Sequence, residues 1–126
     1  MIDVNKQVIY WRDGAVEDWD VANMLVKNGR IRHGMFFAHL ALEKALKAHV
    51  SRATDNLAPK SHDLLRLANL AKLVLTQQQQ ETLTELDAYQ LEGRYPQALP
   101  IESTSAEARE VLHNAGEVFQ WLMKQL

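Results

Sequence analysis

The chain has five histidines and no cysteine, so imidazole, carboxylate, ammonium and guanidinium groups are its means of doing chemistry. Arg109 and His113 stand four residues apart near the C-terminus, a spacing that puts both on one face of a helix. Cleaving RNA through its own 2′-hydroxyl requires a base for that proton and donors that hold the phosphate. An imidazole titrates near neutrality and serves the first need. A guanidinium fork matches phosphate oxygens and serves the second. Two such pairs would meet in one cleft if the chain dimerised. The plainer reading leaves His113 half exposed on a helix and pairs Arg109 with Glu107 or Glu110.

Three further groups carry polar chemistry. His39, Glu43 and Lys47 follow one another at steps of four, so they share a stripe of one helix. They read either as a polar seam lining a cleft, with Lys47 meeting a phosphate, or as a surface ion pair between Glu43 and Lys47 worth a few tenths of a kcal/mol. His39 with Glu43 supplies two metal-ligand types but no third, which is too little for a metal site. His62-Asp63 falls at a helix start, where free backbone N–H groups and the helix dipole favour an acidic side chain. His62 would then face a ligand near the end of the bundle, or simply orient the helix. Arg94-Tyr95-Pro96 reads in two ways: an arginine beside an aromatic can hold a phosphate and stack on a base, or the proline fixes a corner over which Tyr95 packs.

The elements that position these residues read as helices. Val8, Trp11, Ala15, Trp19, Ala22 and Val26 recur at steps of three and four, which predicts a helix from about residue 6 to 28, stopped at Asn28-Gly29. A second helix is expected over about 32–52. It is apolar around most of its circumference and therefore central, with Ala38, Ala41, Ala45 and Ala48 allowing close approach of neighbours. Ser61 is the expected cap of a short third helix reaching about Lys72, and Thr76 of a fourth over about 77–92. Thr104 and Glu107 fit a capping box for the last helix, whose buried stripe is Ala108, Val111, Leu112, Ala115, Val118, Phe119 and Leu122. The expected fold class is all-α, an up-and-down bundle of four to five helices in a single domain spanning 1–126.

Composition bounds the function. The chain has 126 residues, 47% of them hydrophobic and 24% charged, enough for one core. A net charge of −2 gives no global field for nucleic acid or anionic lipid, although a local basic patch remains compatible with it. The five glycines are scattered, so there is no phosphate-cradling loop of a nucleoside triphosphatase, and no cofactor is implied. The polar N-terminus does not resemble a secretion signal, and no run is long enough for a membrane span. A soluble, cytoplasmic protein is expected.

Three segments together resemble the HEPN family (higher eukaryote and prokaryote nucleotide-binding). They are Phe37-Ala38-His39-Leu40-Ala41-Leu42-Glu43-Lys44-Ala45-Leu46-Lys47-Ala48, then Ser61-His62-Asp63-Leu64, then Arg94-Tyr95-Pro96. They occur in the family's order and separations, and the resemblance runs from about Val8 to about Leu122. It implies a bundle of four or five helices, commonly a homodimer. It also implies a frequent association with a small nucleotidyltransferase in a toxin–antitoxin pair. Some members are metal-independent endoribonucleases bearing an Arg and a His separated by four to six residues. Others lack that motif and bind nucleotide or RNA, or assist the nucleotidyltransferase. Here His39 and Leu40 replace the family's paired glutamines, and Arg109 and His113 enclose only three residues. The expectation is therefore a nucleotide- or RNA-binding and interaction module with weak or no catalysis of its own. The alternatives are an endoribonuclease toxin and a purely structural helical dimer.

Overall fold

The computed structural model describes residues 2–94 and 105–126, with residues 91–94 described by their backbone alone. Five helices follow in order: α1 (Val4–Lys27), α2 (Ile31–Thr54), α3 (Leu64–Leu70), α4 (Gln77–Arg94) and α5 (Ser105–Lys124). Among the described residues there is no strand. The all-α bundle expected from the sequence is what forms.

α1 begins where the Asp3 carboxylate accepts the N–H of Lys6 at 3.2 Å, satisfying one of the free donors of the first turn. It ends at Asn28-Gly29, as the sequence predicts. Gly29 takes φ +81°, and the Arg30 N–H donates back to the Leu25 carbonyl at 2.8 Å. This tight turn sends α2 back antiparallel to α1. Trp11 meets Lys47 and Val26 meets Gly34, so contacts run in opposite senses along the pair.

α2 is the hub, packing against each of the other four helices. Ala38, Ala41, Ala45 and Ala48 are all fully buried, together with Met35, Leu42 and Leu46. Gly34 permits the closest approach. A Cβ there would lie 2.5 Å from Val26 Cγ2 and 2.9 Å from the Val26 backbone N, so no side chain fits. At its far end α2 is tied to α5. His49 Nε2 donates to the Leu122 carbonyl at 2.9 Å, and Arg52 donates to the Gln125 carbonyl at 2.7 Å. Burial lowers the His49 pKa below its ordinary value of 6.5. The Leu122 hydrogen bond opposes that shift and the nearby Arg52 adds to it.

One helix start differs in detail from the sequence reading. The N-cap of α3 is Asp63, whose carboxylate accepts the Arg66 N–H at 3.2 Å. Ser61 sits two residues earlier and accepts the Asp63 N–H, making a turn that leads into the cap. α3 is accordingly shorter than expected and ends at Leu70, before Lys72 turns the chain at φ +60°. Thr76 does cap α4, and reciprocally: its hydroxyl accepts the Gln79 N–H at 3.1 Å while Gln79 Oε1 accepts the Thr76 N–H at 2.9 Å. α4 continues through Gly93 to Arg94, past the stop expected near residue 92. The Thr104 cap of α5 lies outside the described residues. The α5 stripe is buried as expected, Val111 being half-buried at its edge. No helix among the described residues is long and apolar enough to cross a membrane.

Candidate functional site

The polar stripe of α2 is at the centre of the molecule. Glu43 is its pivot and is 4% exposed. One carboxylate oxygen accepts from Lys47 Nζ at 3.0 Å, and the other lies 2.9 Å from His62 Nδ1. A carboxylate accepts, so His62 donates to Glu43 through Nδ1. Lys47 is also buried, and its ammonium lies 5.1 Å from the centre of the Trp11 ring, a cation–π contact. One turn before Glu43, the fully buried His39 bonds through Nε2 to Asp87 of α4 at 2.9 Å. Its Nδ1 stands 3.9 Å from the Glu43 carboxylate, without a hydrogen-bond partner.

Four of the residues singled out in the sequence, His39, Glu43, Lys47 and His62, are thus joined in one chain of contacts linking α2 to the α3 entry and to α4. The surface ion pair expected of Glu43 and Lys47 is corrected in one respect: the pair forms, but inside the protein, with side-chain exposures of 5% and 7%. Its burial comes from elements distant in sequence that cover α2. Asp87 and Trp11 complete the network and were not assigned to it by sequence. The legible signal for Asp87 was its position four residues after Leu83 on the buried side of α4. Asp63 serves as the α3 cap described above and does not join the Glu43 contacts.

Arg109 and His113 lie elsewhere, on the outer side of α5. Both line an open groove of about 670 Å³ between α1 and α5, together with Trp19, Asn23, Trp121 and Lys124. His113 is exposed and its Nε2 is 3.2 Å from Glu117 Oε1, so its ion-pair partner is Glu117, one turn on. Such an exposed pair contributes little to stability. Trp19 stacks on Phe119 with ring centres 4.9 Å apart and planes 16° from parallel. The indole passes close to Gly116 of α5: a Cβ there would stand 3.2 Å from Trp19 Cζ2, a tight contact. The groove therefore combines cations with indole surface. Sequence reasoning identified Arg109 and His113 but not Lys124, Trp19 or Trp121 as their neighbours. The hint was the run 109, 113, 116, 120, 124 along α5. Tyr95 and the Arg94 side chain lie outside the described residues. Among the described residues, no three His, Asp or Glu side chains converge as a metal site would require.

The HEPN domain profile matches residues 8–126, and the chain belongs to the HEPN domain family. Two solved structures share its fold. TT1696 from Thermus thermophilus superposes with a TM-score of 0.79 at 26% identity, over 95% of this chain and 98% of that one. ST0689, an archaeal HEPN homologue, superposes with a TM-score of 0.68 at 21% identity, over 99% and 98%. No curated protein matches the chain.

Proposed function

We propose that this HEPN protein is a nucleotide- or RNA-binding and interaction module, the partner of a minimal nucleotidyltransferase in a toxin–antitoxin-type pair, and that it acts as a homodimer in the cytoplasm. The observation that carries the binding reading is the α1–α5 groove, where Arg109, Lys124 and His113 stand beside Trp19 and Trp121. Arginine and lysine beside aromatic rings are what a single strand uses: phosphates on the cations, bases on the rings. The α2 network supports a structural role at that position, because Glu43 and Lys47 are buried and bonded to each other, with Glu43 also bonded to His62. A nucleotidyltransferase partner and dimerisation rest on the family.

A second reading, the metal-independent endoribonuclease, is favoured by one observation: Arg109 and His113 face the same groove. In that reaction His113 removes the 2′-hydroxyl proton and Arg109 holds the phosphate. The Glu117 carboxylate against His113 Nε2 occupies the nitrogen that would take the proton. The deciding experiment measures binding and cleavage of labelled RNA in chelator, with wild type, Arg109→Ala and His113→Ala. Binding weakened by Arg109→Ala without cleavage supports the module. Cleavage abolished by both substitutions replaces it with the nuclease. Neither binding nor cleavage, alone or with a co-expressed nucleotidyltransferase, refutes both.

A further inference from the structure

Residues 27–33 carry Lys27, Arg30, Arg32 and His33 and no acidic side chain. All four are exposed, on and beside the turn that joins α1 to α2. Among the described residues, Lys27, Arg30 and His33 have no ion-pair partner. Helix electrostatics account for Lys27, which stands in the last turn of α1, where a cation is favoured. They oppose Arg30 and His33, which stand at the positive end of α2, whose first turn holds no acidic residue. The turn also lies at one end of the α1–α5 groove. His49 bonds to Leu122 and Arg52 to Gln125, so the C-terminal ends of α2 and α5 lie together, and α5 runs antiparallel to α1. Trp19 meets α5 at Gly116, Asn23 lines the groove one turn on, and Lys27 follows one turn further along the same stripe. From that meeting point Lys27 is about 12 Å along α1 and Arg109 about 10 Å along α5, in the same direction. Lys27 and Arg109 thus stand at one level. Glu107 and Glu110, the acidic neighbours of Arg109, line a separate cavity of about 400 Å³ with Glu85 and Tyr89, between α5 and α4.

We infer that the strand-binding surface continues past Arg109 onto the α1–α2 turn, where Lys27 and Arg30 hold the backbone phosphates of an RNA strand as it leaves the groove. The inference rests on the nucleic-acid reading of the groove and adds the residues that hold the strand beyond it. Phosphates need cations, and a chain of net charge −2 has no global field to supply them, so they must come from a local cluster. Within the groove, Arg109 and Lys124 stand fifteen residues apart on α5, which separates their backbone positions by about 22 Å. Lys27, at the level of Arg109 but on α1, puts positive charge on both walls at that end. Arg30 follows across the turn, with a guanidinium fork suited to phosphate oxygens. The turn itself is open: nothing lies within 4 Å of where a Cβ on Gly29 would stand. The conflict of Arg30 and His33 with the α2 dipole is relieved when a phosphate sits among them. Contacts of this kind fix where a strand lies and carry no base preference.

The test uses the full chain and a fluorescently labelled oligouridine of about twelve nucleotides, with affinity read by anisotropy from about 50 to 200 mM salt. Lys27→Gln and Arg30→Gln are each expected to reduce the slope of log affinity against log salt by about 0.7, and the double variant by about 1.4, as one and two lost phosphate contacts on a single strand require. Lys72→Gln changes an exposed lysine just beyond α3, which packs on α2 and α4, and is expected to leave the slope unchanged. Lys27 and Arg30 are exposed, and a melting temperature no lower in the double variant than in wild type separates lost contacts from lost fold. A slope unchanged in the double variant but reduced in Arg109→Ala confines the strand to the groove and overturns the extension. An equal reduction in Lys72→Gln attributes the effect to net charge and overturns it too. Retention of wild type on phosphatidylserine vesicles that is lost in the double variant, with RNA affinity unaffected, assigns the turn to an anionic lipid surface instead. No binding of RNA by wild type removes the nucleic-acid reading itself.

Discussion

Truncating Glu43 to alanine should be among the most costly single changes in this protein. The carboxylate holds the Lys47 ammonium at 3.0 Å and His62 Nδ1 at 2.9 Å, in a region where Glu43 and Lys47 side chains are 5% and 7% exposed. Removing it leaves a buried ammonium with only the Trp11 ring face, 5.1 Å from its centre. A cation–π contact is worth about 0.5–2 kcal/mol, whereas stranding one member of a buried ion pair costs about 3–5 kcal/mol. The ring does not offset the loss. In urea, with a slope of about 2 kcal/mol per molar for a chain of this size, the unfolding midpoint should fall by roughly 2 M, followed by far-UV circular dichroism. The double variant Glu43→Leu with Lys47→Met removes both charges at similar volume. It should return most of that stability, since hydrophobic replacement of a whole buried pair is often neutral or better. A loss below about 1 kcal/mol in Glu43→Ala would mean that water reaches Lys47 and that the pair behaves as a surface one. A double variant as unstable as the single would place the cost in the His62 link instead.

Three further outcomes follow from the packing and the groove. Gly34→Ala brings a Cβ to within 2.5 Å of Val26 Cγ2 and 3.0 Å of the Ala22 carbonyl, so α1 and α2 must separate. Despite a gain of about 1 kcal/mol in helix propensity it should lose about 1–3 kcal/mol and lower the melting temperature, and an unchanged or raised melting temperature would refute the tight crossing. Burial lowers the folded-state pKa of His49 below 6.5, so only the unfolded chain takes up its proton as the pH falls through that value. His49's contribution to stability is therefore fully present above pH 6.5 and lost progressively below it; the drop in urea midpoint from pH 7.5 to 5.5 should be smaller in His49→Gln, which keeps a donor for the Leu122 carbonyl. If the groove binds a strand, Arg109→Ala and Lys124→Ala should each weaken RNA binding for all sequences alike and reduce the slope of log affinity against log salt by about 0.7, measured between 50 and 200 mM salt; an unchanged slope in both would place the phosphates elsewhere.

The sequence by itself determined the helices and which face each buries, because hydrophobic periodicity and caps are local properties. Val8, Ala15, Ala22 and Val26, and Ala38, Ala41, Ala45 and Ala48 of α2, are buried as their spacing required. Thr76 caps α4 through the reciprocal bonds its position invites, whereas Ser61 yielded the α3 cap to Asp63 because two nearby polar candidates compete and loop geometry chooses between them. The family's motifs were legible for the same reason: they are short runs within single elements.

What only the tertiary structure decided is which polar residues meet, and which are covered. The spacing of Glu43 and Lys47 predicts their pairing, but their exposure depends on Trp11, His62 and α4, none of them neighbours in sequence. His39 finds Asp87 forty-eight residues away, a separation no periodicity encodes. The α1–α5 groove forms where Trp19 of α1 stacks on Phe119 beside Gly116, with Arg109, His113, Glu117 and Lys124 of α5 lining it. A helix pattern specifies the direction in which a side chain points. The element that it points at, and therefore whether a charge is a solvated ornament or a buried pivot, is set by contacts between segments far apart along the chain.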